Sequence, residues 1–409
     1  MLQGENMSGM LLDDSDCTMR IIYVTSSFPV GTREAFLMPE LAELNAQGHQ
    51  LRIVPMFPRG KTVQGNREQF MACASVTPLC SFQFVGEFMK SAGQRPGTVW
   101  RLMRLFRHGS FGLVAKNFTV LPKAAWLARM AIDWRADHIH AFWASGPASL
   151  ALAASELSGI PWSFSAHRFD IIDNSLMPQK AESARFVRFI SADGLRLSRL
   201  PGTPLESKTT VLHLGINVNV APVATCTANV PVILCVAALI PRKGHRVLLK
   251  SIQELKRRGV GLELWLAGDG ELRDQLQVNV SSRGLDRQVK FLGSVSHSAL
   301  MSLYSNGQVT MAALASYHEG IPMSLIEAMS FGVPVVATQV GGIPELLGNG
   351  AGILVDPNDW LALSDALHLL IDNVELRKSL GIAASERVRS SFSASAIATR
   401  MTALLTGNV

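Results

Sequence analysis

Apolar positions along the chain switch repeatedly between two periods. "RIIYVT" (20–25) and "HQLRIVP" (49–55) are short β-branched runs suited to strands, and between them apolar residues fall at helical spacing as far as Gly48. The stretch "DHIHAFWASGPASLALAASELSGIPWSFSAH" (137–167) repeats the theme: strand, glycine-containing loop, helix, a stop at Gly159-Ile160-Pro161, and strand again. Over "NVNVAPVATCTANVPV" (217–232) both periods lapse into small residues and prolines, which predicts a linker. The alternation then restarts with "VILCVAAL", "GHRVLLKSIQELKRRG", "LELWLAG", "ELRDQLQVNVSSRG", "VKFLG", "ALMSLYSNG" and "VPVVAT". Strands alternating with helices predict parallel, doubly wound sheets in two successive α/β domains, with no short internal repeat. The expected boundaries are a disordered leader over 1–18, a first domain over 19–220 and a second over 221–390. The tail from Ser385 to Leu405 reads as helix, and residues 391–409 are expected to pack back on the first domain.

Composition fits this plan. A chain of 409 residues exceeds one ordinary core, and 48% hydrophobic with 17% charged residues describes a folded, somewhat apolar protein. No run approaches the roughly 18 uninterrupted apolar residues of a membrane span. The leader carries Glu5, Asp13, Asp14 and Asp16 without a basic segment, unlike a secretory signal. Five cysteines (Cys17, Cys73, Cys80, Cys226, Cys235) include no CxxC pair, so a reducing cytoplasm is the simplest setting, and neither a zinc site nor a disulfide framework is expected.

The net charge of +6 is uneven. Residues 59–135 hold twelve Lys and Arg against Glu68, Glu87 and Asp133. This excess points to phosphates, nucleic acid or an anionic membrane, with a solvated helical face as the plain alternative. Within it, "WRLMRLFRH" (100–108) places Trp100, Met103 and Phe106 on one helical face beside Arg101, Arg104 and Arg107. That arrangement predicts peripheral binding to an anionic membrane, or else a helix packed within the first domain.

The sharpest chemistry lies in "HEGIPMSLIEAMSFGVPVVATQVGGIPELL" (318–347), where Glu319 and Glu327 stand eight positions apart. A glycosidase-like acid and base need carboxyls about 5–9 Å apart. Even a fully helical pair at this spacing would sit ~12 Å apart, so a shared acid/base role is disfavoured. A metal site would need more ligands, and His318 points elsewhere in a simple turn. Two hooks on one ligand fit better. A Gly-x-Pro loop entering a helix offers free N–H groups to a diphosphate, and a carboxylate on either side grips sugar hydroxyls, which implies a nucleotide sugar. A solvent-facing glutamate pair around a helix cap is the bland alternative. "AGDGELR" (267–273) supplies Gly268 and Gly270 but Arg273 where a dinucleotide fingerprint needs a third glycine, so it gives no support for NAD.

The run from Glu319 through Glu327 to "GGIPE" ending at Glu345 resembles the signature of glycosyltransferase family 4, retaining enzymes of GT-B fold. "LIPRKGH" (239–245), "LAGDGELRDQL" (266–276) and "VKFLG" (289–293) follow in the family's order. "SSFPVGTREAF" (26–36) and "FSAHRFDI" (164–171) are similar to the branch that builds bacterial surface polysaccharides. The resemblance implies two Rossmann-like domains facing each other across a cleft. It implies Glu319 and His167 at the reacting sugar, and Gly320, Ile321, Pro322 and Met323 along the donor sugar. Lys243, Arg242, Ser324 and Leu325 would hold the diphosphate, Glu327 the ribose, and Gly31 with Thr32 the N-domain loop closing over it. One position departs: the family's arginine five residues before the lysine is Ala238 here.

The expected function is metal-independent, cofactor-free, retaining transfer of a sugar from a nucleoside-diphosphate donor to a hydroxyl acceptor, a glycan or lipid-linked glycan, without nucleic acid. The alternatives are a nucleotide-sugar 2-epimerase of the same fold and a non-catalytic nucleotide-sugar-binding subunit. The expected location is the cytoplasm, at the inner face of the membrane if the basic segment docks there.

Overall fold

The computed structural model describes residues 18–30, 34–59, 68–79, 81–108, 110–172, 176–218 and 230–408. The leader apart from Thr18, the loop residues Gly31 and Thr32, most of the linker, and Cys17, Cys80 and Cys226 therefore lie outside the described residues.

Two six-stranded sheets carry the chain. The first contains β1 (Arg20–Thr25), β2 (Gln50–Pro55), β3 (His138–Ala141), β4 (Trp162–Ala166), β5 (Val187–Phe189) and β6 (Thr209–Val211), in the order β2-β1-β3-β4-β5-β6. The second contains β7 (Val232–Val236), β8 (Glu263–Ala267), β9 (Val289–Gly293), β10 (Met311–Leu314), β11 (Val335–Thr338) and β12 (Ile353–Val355), in the order β12-β11-β10-β7-β8-β9. Every described strand pair is parallel, as the alternation predicts. Helices on both faces explain why strands such as "VILC" in β7 are buried without alternation. The helix His245–Arg257 shows the complementary pattern: Val247, Leu248, Ile252 and Leu255 recur at helical spacing and face the second core, while Arg246, Lys250, Lys256 and Arg257 face out.

The tail is two helices, Val374–Ser391 and Ala394–Thr406, not one. The break at Phe392-Ser393 lets the chain cross beside the link between the sheets, where Ile216 and Ser393 form a parallel bridge. Gly215 permits this crossing, since a Cβ there would lie 2.6 Å from Ala394 Cα. The last helix packs on the first domain: Ile397, Ala398, Met401 and Leu405 join a core with Leu41, Leu44 and Phe28. Arg185 donates to the Leu405 and Thr406 carbonyls at 2.9 Å each, satisfying the helix end. Among the described residues no helix is long and apolar enough to cross a membrane.

Candidate functional site

In each sheet the strand order reverses once, between β1 and β3 in the first and between β7 and β10 in the second. Loops leaving the carboxyl ends of such neighbours run to opposite faces and leave a crevice between them, the usual binding place in this class of sheet. Lys243 lies in the segment after β7 and Glu319 in the segment after β10. The sheet topology thus brings the two to one crevice although 76 positions separate them.

They meet directly. Lys243 Nζ donates to Glu319 Oε1, and the Ser316 hydroxyl donates to the same oxygen at 2.8 Å. Both charged side chains are largely buried, at 16% and 8% exposure, and pairing offsets the cost of taking each from water. Expected separately, one at the diphosphate and one at the sugar, they form an ion pair with each other.

Close backbone approach builds the surroundings. Gly244 (φ +66°) lies where a Cβ would sit 1.8 Å from the Ala315 carbonyl oxygen. At Gly341 (φ +57°) a Cβ would sit 1.9 Å from the Glu319 oxygen. The glycines of "AGDGELR" serve the same purpose, Gly268 and Gly270 pressing on the Ala237 and Leu239 carbonyls. Tyr317 N–H donates to the Arg242 carbonyl at 2.8 Å, tying the two main loops together.

The helix Met323–Ser330 starts at the same crevice, with Pro322 as an N-cap that offers no side-chain acceptor. Leu325 N–H, assigned to the diphosphate from sequence, donates to the Pro322 carbonyl at 3.1 Å. Met323 and Ser324 are left as the amides open at the helix start among the described residues. Gly320 and Ile321 are partly exposed, Pro322 is buried, and the space where a Gly320 Cβ would stand is empty. Glu327 sits one turn into this helix; burial raises its pKa, opposed by His297, whose Nδ1 lies 3.5 Å from the carboxylate. Beside it the buried Tyr304 hydroxyl has no described partner. His318 is exposed. His245, next to Gly244, is buried with both ring nitrogens unpartnered, and its pKa falls to about 4 through burial and the Lys243 charge.

The first domain offers its own crevice. His167 follows β4 and is 6% exposed, with neither ring nitrogen partnered by the protein. Asp170 Oδ2 stands 3.9 Å from Nδ1, too far for a hydrogen bond, because the carboxylate instead accepts from His167 N–H (2.7 Å) and Ala144 N–H (2.6 Å). Trp143 packs on the imidazole at 4.1 Å between ring centres, with Phe142 at 5.0 Å. The indole N–H donates to Glu34 at 2.5 Å. Glu34 also accepts from the backbone of Ser26, Ser27 and Phe28, so one buried carboxylate holds the loop after β1 and orients the tryptophan. Glu34 and Trp143 were not singled out from sequence; Trp143 had a signal, since it stands in the loop just after β3, two residues past Ala141.

The crevices belong to one site because the domains touch around them. The Arg242 guanidinium lies 4.5 Å from the ring centre of Phe169 in the first domain, and Ala238, four residues earlier, is exposed. Arg242 thus stacks across the domain boundary. Met323, like Phe36 and Trp143, packs against the first-domain cluster that includes Phe142. Glu345 accepts from Ala192 N–H at 2.7 Å and faces His213 at 3.4 Å, a second polar link. Among the described residues no group of three or more His, Cys, Asp or Glu is placed to hold a metal ion. A groove of about 790 Å³ lies elsewhere, lined by Arg52, Glu87, Arg95, Trp126 and Asp133.

Residues 226–387, which include Lys243, Glu319 and Glu327, match the family model described as glycosyl transferases group 1. The second domain belongs to this family. Among relatives of this group 1 glycosyltransferase domain, an alpha-D-kanosaminyltransferase from Streptomyces kanamyceticus is 32% identical over 167 residues, 41% of this chain and 43% of its own. A D-inositol 3-phosphate glycosyltransferase from Corynebacterium diphtheriae is 27% identical over 288 residues, 62% of this chain and 66% of its own. The chain spans about half the length of the curated relatives it matches. Anabaena Alr3699/HepE, solved with UDP, superposes with a TM-score of 0.71 at 18% identity, covering 95% of this chain and 100% of that one. A glycosyltransferase from Rickettsia africae does so at 0.70 and 18%, covering 96% and 100%. These likenesses establish the two-domain GT-B fold.

Proposed function

We propose that the chain transfers a sugar from a nucleoside-diphosphate donor to a hydroxyl acceptor, with retention at the anomeric carbon and without a metal or other cofactor. The observation that carries this reading is the Lys243/Glu319 pair at the switch point of the second sheet, after which comes the open start of helix 323–330. A diphosphate gives Lys243 a stronger partner than Glu319, and the Met323 and Ser324 amides add to the same anion site. Glu319, released, accepts hydrogen bonds from the sugar hydroxyls, and Glu327 those of the ribose.

Among the described residues no side chain is placed as an obvious nucleophile. The acceptor oxygen therefore bonds to the anomeric carbon on the face the diphosphate leaves: one C–O bond forms, one breaks, and the acceptor proton passes to a phosphate oxygen. The developing phosphate charge is the largest in the reaction, and Lys243 with the helix start stabilises it. His167 lines the acceptor side. A glycan or lipid-linked glycan in surface polysaccharide synthesis is the acceptor we favour, in the cytoplasm. Relatives support the donor class, since one is named GDP-mannose-dependent and Alr3699/HepE was solved with UDP-glucose.

The test is a thermal-shift screen of nucleotide sugars on the full chain, followed by product analysis with the best donor. A glycoside of unchanged anomeric configuration supports the reading. Acceptor-independent release of the nucleoside diphosphate with a free glycal favours the epimerase, and binding without turnover favours the non-catalytic subunit.

A further inference from the structure

Between β2 and β3 the chain does more than cross the sheet. A parallel crossover needs about a dozen residues or more, and the helix Leu121–Asp133 already packs against helix Gly146–Ser158 on the sheet. The short helix Glu68–Ala72 and then a run of three, Phe82–Gln94, Pro96–Phe106 and Phe111–Thr119, precede it. The middle one contacts both others. Each leaves large apolar side chains in solvent. Phe82 is 97% exposed, Met89 66%, Trp100 62% and Phe111 89%, with Val85 and Met103 also exposed. Phe82, Val85 and Met89 fall at spacings of three and four, so they form one stripe on their helix. Trp100 and Met103 form a second exposed stripe, flanking the buried Val99, Leu102 and Phe106. The Phe106 contribution expected from sequence is thus corrected, and the 82–89 stripe replaces it.

Charge surrounds these stripes. Arg95, Arg104, Arg107 and Lys116 have no acidic partner among the described residues, and Arg104 lies over the Trp100 ring at 5.7 Å. A monomeric globular domain rarely leaves so many aromatic and aliphatic side chains in water together, and unpaired basic residues beside them select against neutral partners.

We infer that the helices 82–119 are a docking surface for an anionic lipid bilayer, the apolar stripes entering the headgroup boundary while Arg104, Arg107, Arg95 and Lys116 meet lipid phosphates. Aromatic and aliphatic tips over a basic rim are the chemistry of interfacial helices. This inference stands apart from the transfer reaction, since none of these residues lines the crevices.

Sedimentation of the full chain with phosphatidylcholine vesicles, with and without phosphatidylglycerol, tests it. The expected result is binding to the phosphatidylglycerol vesicles alone at low salt, released by high salt. The double variant Arg104→Glu/Arg107→Glu should weaken it by on the order of tenfold or more, and Trp100→Ser/Met103→Ser should also lower it. All four side chains are solvent-facing, so the variants should melt as the parent does. No binding to anionic vesicles overturns the inference, as does binding that neither variant changes. Light scattering showing concentration-dependent association of the free protein, abolished in Trp100→Ser/Met103→Ser, would also overturn it by assigning the surface to a second copy of the chain.

Discussion

Lys243 and Glu319 form an ion pair, which a donor bound as proposed would have to part. Loss of one charged hydrogen bond at the diphosphate costs about 1.5–3 kcal/mol, so Lys243→Ala should lower kcat/KM by roughly tenfold to a hundredfold. Unchanged steady-state rates for this variant would displace the diphosphate from the crevice. On the proposed function Glu319 meets the reacting sugar and Glu327 the remote ribose, so Glu319→Ala should act mainly on kcat and Glu327→Ala should mainly raise the donor KM. Small and equal changes in both constants would undo that division. For Arg242 the stacking on Phe169 sets a milder expectation: an exposed cation over an aromatic ring contributes about 0.5–1 kcal/mol, so Arg242→Ala and Phe169→Ala should share a loss of a few fold. A tenfold loss for Arg242→Ala alone would instead make it the phosphate ligand that replaces the residue missing at Ala238. The second-domain residues were legible in the sequence because each lies in a contiguous motif just after a strand. Their pairing was not, because it depends on β7 and β10 being neighbours, which periodicity does not report.

The loops that carry these residues hold position by touching backbone to backbone. Gly341→Ala combines a left-handed φ, costing about 1–2 kcal/mol for an L-residue, with a Cβ placed on the Glu319 carbonyl. Its expected outcome is a kcat/KM at least about tenfold lower together with a lower melting temperature; full activity would show that Glu319 tolerates displacement. In the first domain Glu34 is a positioning residue for Trp143 and, through it, His167. Glu34→Gln keeps the shape but loses charged acceptance of four N–H groups, so kcat should fall while donor KM, set in the other domain, stays. A rise in donor KM alone would remove Glu34 from that role. This network escaped the sequence reading because Glu34 and Trp143 are 109 residues apart and meet only through the β1/β3 pairing. The helix 96–106 misled differently. It carries two apolar stripes, and spacing alone does not say that Val99, Leu102 and Phe106 are the buried one.

Across the whole molecule, buried imidazoles set the response to acid. Burial is the first cause in each case: it lowers the pKa of His138 to about 3, of His213 and His245 to about 4, and of His140 well below its ordinary value. Charges add to this, Arg185 facing His138, Arg188 facing His140, and Lys243 facing His245. An unfolded chain takes up these protons near pH 6.5, and the folded protein does not until much lower pH. Depressed folded values therefore contribute stability that is present above about pH 6.5 and lost as pH falls toward 4, by on the order of 3 kcal/mol for a group such as His245. Glu327 and Glu345 have the opposite sign, since burial raises them: their contribution is full below the ordinary carboxylate range and lost as pH rises through their raised values. Both carboxylates thus oppose the imidazoles on acidification, but two groups face five, since burial lowers His49 as well. Urea midpoints measured from about pH 7.5 down to about pH 4.5 should decline steadily below pH 6.5, and His245→Gln should flatten that decline. A parent midpoint that holds constant over this range would mean that the imidazoles are solvated, and the tight loop packing around Lys243 and Gly244 would fail with it.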